Sequence, residues 1–309
     1  MKIVSLFPAA TEMLALLGLE SDLVGVSHEC DYPPFVSTLP KVTRCAIPAH
    51  ATSSEIDRWV SERFATGLPL YEMDAKLLQQ LKPDLIISQD LCQVCAIDEN
   101  AVVQALGDLA SSTQRLSLQP LGVYDVLDGL RLIAAATNRT ASATVLLEQL
   151  QQRLQTVAHA VQAATQRPRV VMLEWLDPLF CAGHWSPELI RLAGGAEMLG
   201  RERELSKRIE LNDVIECDPE ILIIACCGYD IPRALEDINH TSLLSRLATV
   251  SAVKNRQVFV GDGNAYFNRP GPRLVDTLEM LAATIHPEIF SLPGNTNSIE
   301  QPKLMRLDG

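Results

Sequence analysis

The stretch LLQQLKPDLIISQD, residues 77 to 90, decides the fold, because its design returns as DVIECDPEILIIACC at residues 213 to 227. Each reads as a short amphipathic helix, a Pro-acid turn and an apolar run of strand length that ends in polar or sulfur residues. A second pair echoes in the same way. KIVSLFPAATEMLALLGL (2 to 19) and RVVMLEWLDPLFCAGHWSPELIRLAGG (169 to 195) both give a strand followed by a helix closed at glycine. A design used twice implies two lobes with a cleft.

Working outward, strand-like runs alternate with helical ones. KIVSLF, LVGVSH, PLYEM, DLIISQ and RLSLQ fall in the first part; RVVMLEW, LFCAG, ILIIAC and QVFVGD fall in the second. This alternation predicts an α/β protein of two Rossmann-like lobes with mostly parallel sheets. The expected lobes are residues 1–121 and 168–290, with connecting helices over 122–167 and a flexible tail over 291–309. Within the connector, Leu146, Leu150, Leu154, Val157 and Val161 form one apolar stripe among polar residues, which predicts a helix over about 140–165. Such a rod joins the lobes, or else lies as a surface helix on a single sheet.

Composition narrows the function. The chain has 309 residues, 47% hydrophobic and 21% charged, with a formal charge of −12. That balance excludes nucleic acid and anionic membrane as general partners, and no apolar run is long enough for membrane insertion. Glu12 interrupts the apolar start, so the first residues read as strand and helix rather than as a leader. Cytoplasmic location is the resulting expectation, and the eight cysteines then read as buried thiols, metal ligands or redox groups.

In parallel sheets, ligands gather beyond the carboxyl ends of the strands. Those ends here carry Phe7 and Pro8, His28, Glu29 and Cys30, and Cys92 with Cys95 in the first lobe. The second lobe offers Glu174, Trp175, His184, Trp185, Cys226, Cys227, Tyr229, Phe267 and Arg269. The Cys92-x-x-Cys95 pair reads as packing, as redox chemistry, or as half of a tetrahedral metal set with His28 and Cys30, suited to zinc or iron. Trp175 and Trp185 have faces suited to a planar ligand. Glycine-rich phosphate loops, nucleophile elbows and His-Glu-x-x-His patterns are absent from the sequence, which favours binding over turnover.

SLFPAATEMLALLG, the LKPDLII strand entry, the isolated long helix, GHWSPELIRLAGG and FNRPGPRLVDTLEMLA together give a resemblance to the class III periplasmic binding proteins. The likeness covers about residues 1 to 290 and looks nearest to the cobalamin-binding branch. It implies two lobes joined by one backbone helix, delivery to an ABC permease, and a corrinoid (cobalamin-like) ligand. It also implies a periplasmic location as the alternative to the cytoplasm. The expected contacts are Phe7, Pro8, His28, Glu29, Glu174, Trp175, His184, Trp185, Tyr229, Phe267 and Arg269, with His28 or a cysteine reaching the central metal. A cytosolic metal-dependent enzyme or a zinc/iron carrier is the alternative function. The chain departs from the resemblance at the two permease-docking glutamates, where Lys76 and Asn212 stand, with Glu72 and Glu210 as neighbouring substitutes.

Overall fold

A computed structural model describes residues 1–48, 50–89, 99–290 and 303–307. Two compact units divide the chain. The first holds Met1–Ala51, Glu55–Pro120 and Tyr124–Glu148; the second holds Thr52–Ser54, Leu121–Val123 and Gln149–Gly309.

In the first unit, β1 (Ile3–Ser5), β2 (Leu23–Val26), β5 (Leu85–Gln89) and β6 (Gln114–Leu118) form a four-stranded sheet in the order β2-β1-β5-β6. Every pairing in it is parallel. Its central strands, β1 and β5, are buried at every position but Gln89, the usual condition of a parallel sheet covered on both faces. Val4, Leu6, Ile86, Leu78, Val102 and Leu106 pack into one core. A small antiparallel ribbon, β3 (Thr43–Cys45) with β4 (Tyr71–Met73), lies in the same unit.

The second unit is built around β7 (Arg169–Leu176), β11 (Ile221–Ile224) and β12 (Val258–Gly261), which pair in parallel. The hairpin strand β8 (Leu179–Cys181) extends this sheet on one side, backed by β10 (Lys207–Arg208), while the short β9 (Ala196–Glu197) runs parallel to the start of β7. On the other side β13 (Leu304–Arg306) pairs antiparallel with β12. Sequence reading assigns no structure after Ser291, so this strand corrects it. Its three residues, Leu304, Met305 and Arg306, are too few to show a strand pattern without the edge that they pair with.

The repeated design is exact at the level of hydrogen bonds. In the first unit the helix Ala75–Leu81 starts at Asp74, whose side chain accepts the Leu77 N–H, and ends at Lys82 in the left-handed region, φ 50°. Pro83 and Asp84 follow. The Asp84 carboxylate accepts the Lys2 N–H at 2.7 Å, and the Asp84 N–H donates to the Lys2 carbonyl at 2.8 Å. In the second unit the helix Leu211–Cys217 starts at a capping box of Glu210 and Asp213 and ends at Asp218, φ 42°. Glu220 there accepts the Arg169 N–H at 2.9 Å and donates its own N–H to the Arg169 carbonyl at 2.9 Å. In both units the acid after proline thus clamps the entry of the first strand to that of its parallel neighbour.

Val123–Ala136 and Thr140–Ala160 are the two connecting helices. The second is 21 residues long, with residues to Glu148 counted in the first unit and those from Gln149 in the second. Its buried line is Ala143, Leu147, Leu150, Leu154, Val157 and Val161, so Leu147 rather than Leu146 holds the inward position. Spacings of 4, 3, 4, 3 and 4 keep that line on one face. Arg153, on the same helix, donates to Glu279 at 2.8 and 2.6 Å and to Asp276 at 2.5 Å.

Candidate functional site

Beyond the carboxyl ends of β1 and β2, the first unit gathers a polar shelf. Phe7 is buried and Pro8 half-buried at the start of the helix Pro8–Leu16. The Phe7 carbonyl accepts bonds from the Thr11 N–H at 3.1 Å and from the Ser5 hydroxyl at 3.1 Å. His28 sits two residues past β2. The Thr43 hydroxyl donates to Ser27 Oγ at 3.2 Å, and the His28 N–H donates to Thr43 Oγ1 at 3.0 Å. With the threonine hydrogen spent on Ser27, the 2.7 Å contact from His28 Nδ1 to Thr43 Oγ1 places a proton on Nδ1. Nε2 lies 3.0 Å from Glu29 Oε1, ion-pair range but off the line of a hydrogen bond. The ring tilts against Tyr71 at 5.1 Å.

Burial alone would lower the His28 pKa. The neighbouring sulfur of Cys45 and the Glu29 carboxylate more than reverse this, pushing it up to about 9. Cys45 and Tyr71 come from the β3–β4 ribbon and are missing from the sequence-derived site. The ribbon has only three residues in each strand, too few to show an alternation. A raised pKa favours the protonated ring, which donates from both nitrogens.

The metal set expected from His28, Cys30, Cys92 and Cys95 is not supported. Cys92 and Cys95 lie outside the described residues. Cys30 is 1% exposed, and its sulfur is 3.2 Å from Thr11 Oγ1 and 3.9 Å from the Ser5 carbonyl. Its side chain is thus enclosed within the first unit, against the start of the helix Pro8–Leu16. Among the described residues no group of three or more His, Cys, Asp or Glu side chains is arranged to hold a metal ion.

In the second unit the expected aromatic groups divide into two sets. Trp185 is 4% exposed and its indole N–H donates to the Phe267 carbonyl at 2.8 Å. Phe267 is itself buried against Gly261, where any side chain would strike the ring. Arg269 is buried as well, with a guanidinium nitrogen donating to Asn264 Oδ1 at 3.2 Å. His184, in the left-handed region at φ 55°, has its N–H on the Glu204 carbonyl and its pKa lowered by burial. These four residues hold the turns after β8 and β12, and Trp185, of which stacking is expected, and Phe267, of which ligand contact is expected, are both buried in packing. Residue type alone does not tell an aromatic anchor from an aromatic platform.

Trp175 and Tyr229 form the second set. Trp175, at the end of β7, is half-buried, and its indole N–H is shared between the Ser53 and Asp177 carbonyls at 3.3 and 3.2 Å. Tyr229 tilts against it, with 5.2 Å between ring centroids and 51° between planes. Arg233 lies over the outer face of Tyr229 at 5.1 Å. Glu174 contributes its carbonyl, which accepts the Cys227 N–H at 3.0 Å. Cys226 is fully buried with its pKa raised by that burial, while Cys227 is exposed, as adjacent residues of extended chain require.

Two α/β units of one repeated design, with aromatic, hydroxyl and imidazole groups beyond their strand ends, define a small-molecule binding protein. The chain belongs to the periplasmic binding protein family, whose sequence model matches residues 3–265. The vitamin B12-binding protein of Vibrio cholerae is 24% identical over 286 residues, which is 91% of this chain and 87% of that protein. Among solved structures, the periplasmic vitamin B12-binding protein of Vibrio cholerae aligns over 93% of this chain and 96% of its own, at TM-score 0.68 and 22% identity. A periplasmic heme-binding protein from Pseudomonas aeruginosa covers 100% and 98% at TM-score 0.73 and 19% identity. A third, from Roseiflexus, covers 93% and 98% at TM-score 0.70 and 20% identity.

The resemblance drawn from the sequence and the two-lobed α/β fold are therefore borne out. These relatives are binding proteins rather than enzymes, so the enzyme alternative has no support. The cytoplasmic expectation has none either, since the solved relatives are described as periplasmic. No helix among the described residues is long and apolar enough to cross a membrane.

Proposed function

We propose that the protein is the substrate-capturing component of an ABC importer, acts outside the cytoplasm, and takes a corrinoid as its ligand. One observation carries the choice of ligand: the likeness to a vitamin B12-binding protein extends over 91% of the chain. The geometry supports it. Trp175 near the end of β7 and Tyr229 beyond β11 offer aromatic edges and faces, and apolar contact with a corrin ring is worth about 25 cal/mol per Å² buried. His28, held protonated beside Glu29, supplies a hydrogen-bond donor on the first unit.

Heme is the second reading, favoured by the heme-binding proteins that share the fold. Titration of the purified protein with cyanocobalamin and with hemin, followed by tryptophan fluorescence and visible absorbance, separates the two. The corrinoid is expected to bind with a Kd near or below about 1 μM, roughly 8 kcal/mol of binding free energy. Hemin binding without corrinoid binding would replace the first reading with the second.

Docking on a permease is expected to be weaker than in relatives that carry paired glutamates. Lys76 and Asn212 are exposed. The nearby acids are engaged, Glu72 by Arg44 at 2.7 Å and Glu210 in its capping box. Like charges brought to one interface are penalised, so Lys76→Glu with Asn212→Glu is expected to strengthen capture by the cognate permease in a pull-down from membranes.

A further inference from the structure

Four buried side-chain polar atoms of the second unit lack a hydrogen-bond partner among the described residues, and two of them, on Asp237 and Tyr229, fall in one cluster. Asp237, on the helix Ile231–His240, is 4% exposed. Its Oδ1 accepts the Ser53 hydroxyl at 2.9 Å, while its Oδ2 has no hydrogen-bond partner among the described residues. Tyr229 is 7% exposed, and its hydroxyl likewise has no partner among the described residues. Native proteins pair nearly all such atoms, and leaving one unpaired costs free energy. Two such atoms, close enough for the Asp237 charge to act on Tyr229, indicate a missing partner.

The cluster is continuous with the aromatic pair. Ser53 bonds Asp237 through its hydroxyl and Trp175 through its carbonyl; Tyr229 tilts against Trp175. Burial raises the pKa of Asp237, and burial together with the Asp237 charge pushes Tyr229 up to about 12. Arg233 lies over the ring face of Tyr229, and its positive charge acts against the rise at both Tyr229 and Asp237. The turn between β11 and Tyr229 is open. A Cβ placed on Gly228, φ 74°, would meet no atom within 4 Å.

We infer that Asp237 Oδ2 and the Tyr229 hydroxyl form an acceptor corner of the ligand site that takes an amide N–H and repels a carboxylate, so that it selects amide-bearing tetrapyrroles over porphyrin dicarboxylates. This rests on the reading of the protein as a binder of corrinoid or heme. Corrinoids carry primary amides around the ring, and hemin carries two propionates. An amide presents two N–H donors to a carboxylate and a phenol oxygen. A propionate brings a second negative charge toward Asp237, which is already penalised for its burial.

The experiment measures affinities for cyanocobalamin, dicyanocobinamide and hemin on the wild-type protein and on Asp237→Asn, Asp237→Ala and Tyr229→Phe. Asp237→Ala is expected to weaken both corrinoids by about 10- to 100-fold, the range for a hydrogen bond to a charged group. Asp237→Asn keeps an acceptor for Ser53 but removes the charge, and is expected to shift the corrinoid-to-hemin ratio toward hemin by about 10-fold or more. Tyr229→Phe is expected to weaken the corrinoids by several-fold. Should Asp237→Ala fail to fold, as judged by thermal unfolding, the other two variants carry the test. A wild-type protein that binds corrinoid with an unchanged ratio in every folded variant overturns this inference alone, and assigns the orphan atoms to a structural water. A wild-type protein that binds neither ligand class overturns the functional reading and this inference with it.

Discussion

His28 carries a charge at neutral pH because Cys45 and Glu29 outweigh its burial. Its folded-state pKa of about 9 lies above the ordinary value of 6.5, so the folded chain holds a proton that the unfolded chain releases between those values. The stability it contributes is fully present below about pH 6.5 and is lost as pH rises through about 9. Denaturant unfolding at pH 6, 7.5 and 9 is expected to show a fall on the order of 1 kcal/mol per pH unit across that window. His28→Gln is expected to flatten it; an unchanged slope in the variant would assign the pH dependence to other groups. The sequence placed His28, Glu29 and Tyr229 beyond strand ends and Trp175 at the end of β7, because strand pattern and turn fix where the chain leaves the sheet. It did not disclose orientation. Cys30, Trp185 and Phe267 turn inward, a choice made by packing partners distant in the chain, such as Thr11 for Cys30 and the Phe267 carbonyl for Trp185.

The two Pro-acid turns show what a repeated element conserves and what it lets vary. Each helix closes on a non-glycine residue in the left-handed region, Lys82 at φ 50° and Asp218 at φ 42°, a conformation that costs an L-residue roughly 1 to 2 kcal/mol. At Asp218 the cost is offset. Its carboxylate accepts the Ser251 N–H at 2.7 Å and the Ser251 hydroxyl at 2.8 Å, which also lowers its pKa. Lys82 shows no comparable side-chain bonds among the described residues. Lys82→Gly is therefore expected to raise stability by up to about 1 kcal/mol. Asp218→Gly, which gains the same backbone freedom but loses both bonds, is expected to lower it by about 1 to 2 kcal/mol. Thermal unfolding of the two variants checks the opposite signs; a fall in both would show that the left-handed turn carries no strain worth relieving. These helix–turn–strand units were legible because local signals specify them: a cap, a proline, an apolar run. The strand β4 was legible within PLYEM, but its partner β3 and the edge strand β13 were not, since each is three residues long and is held by its pairing.

For the chain as a whole, family and fold follow from a design written twice into the sequence, whereas ligand choice hangs on a few side chains that the same fold rearranges among relatives. Relatives described as binding vitamin B12 and heme superimpose on this chain with TM-scores of 0.68 and 0.73, so backbone likeness cannot decide between the two ligands. Linkage supplies a test that needs no knowledge of which side chains touch the ligand. A ligand that binds only the folded protein stabilises it by about 2.7 kcal/mol at a free concentration of 100 Kd. For units of this size that corresponds to a rise in Tm of roughly 5 to 10 °C. Cyanocobalamin and dicyanocobinamide are both expected to produce this rise, because both carry the corrin ring and its amides, while hemin at equal concentration is expected to produce a smaller one. A rise with cyanocobalamin but none with dicyanocobinamide would move recognition from the corrin ring to the nucleotide loop, and would take Trp175 and Tyr229 out of the main contact.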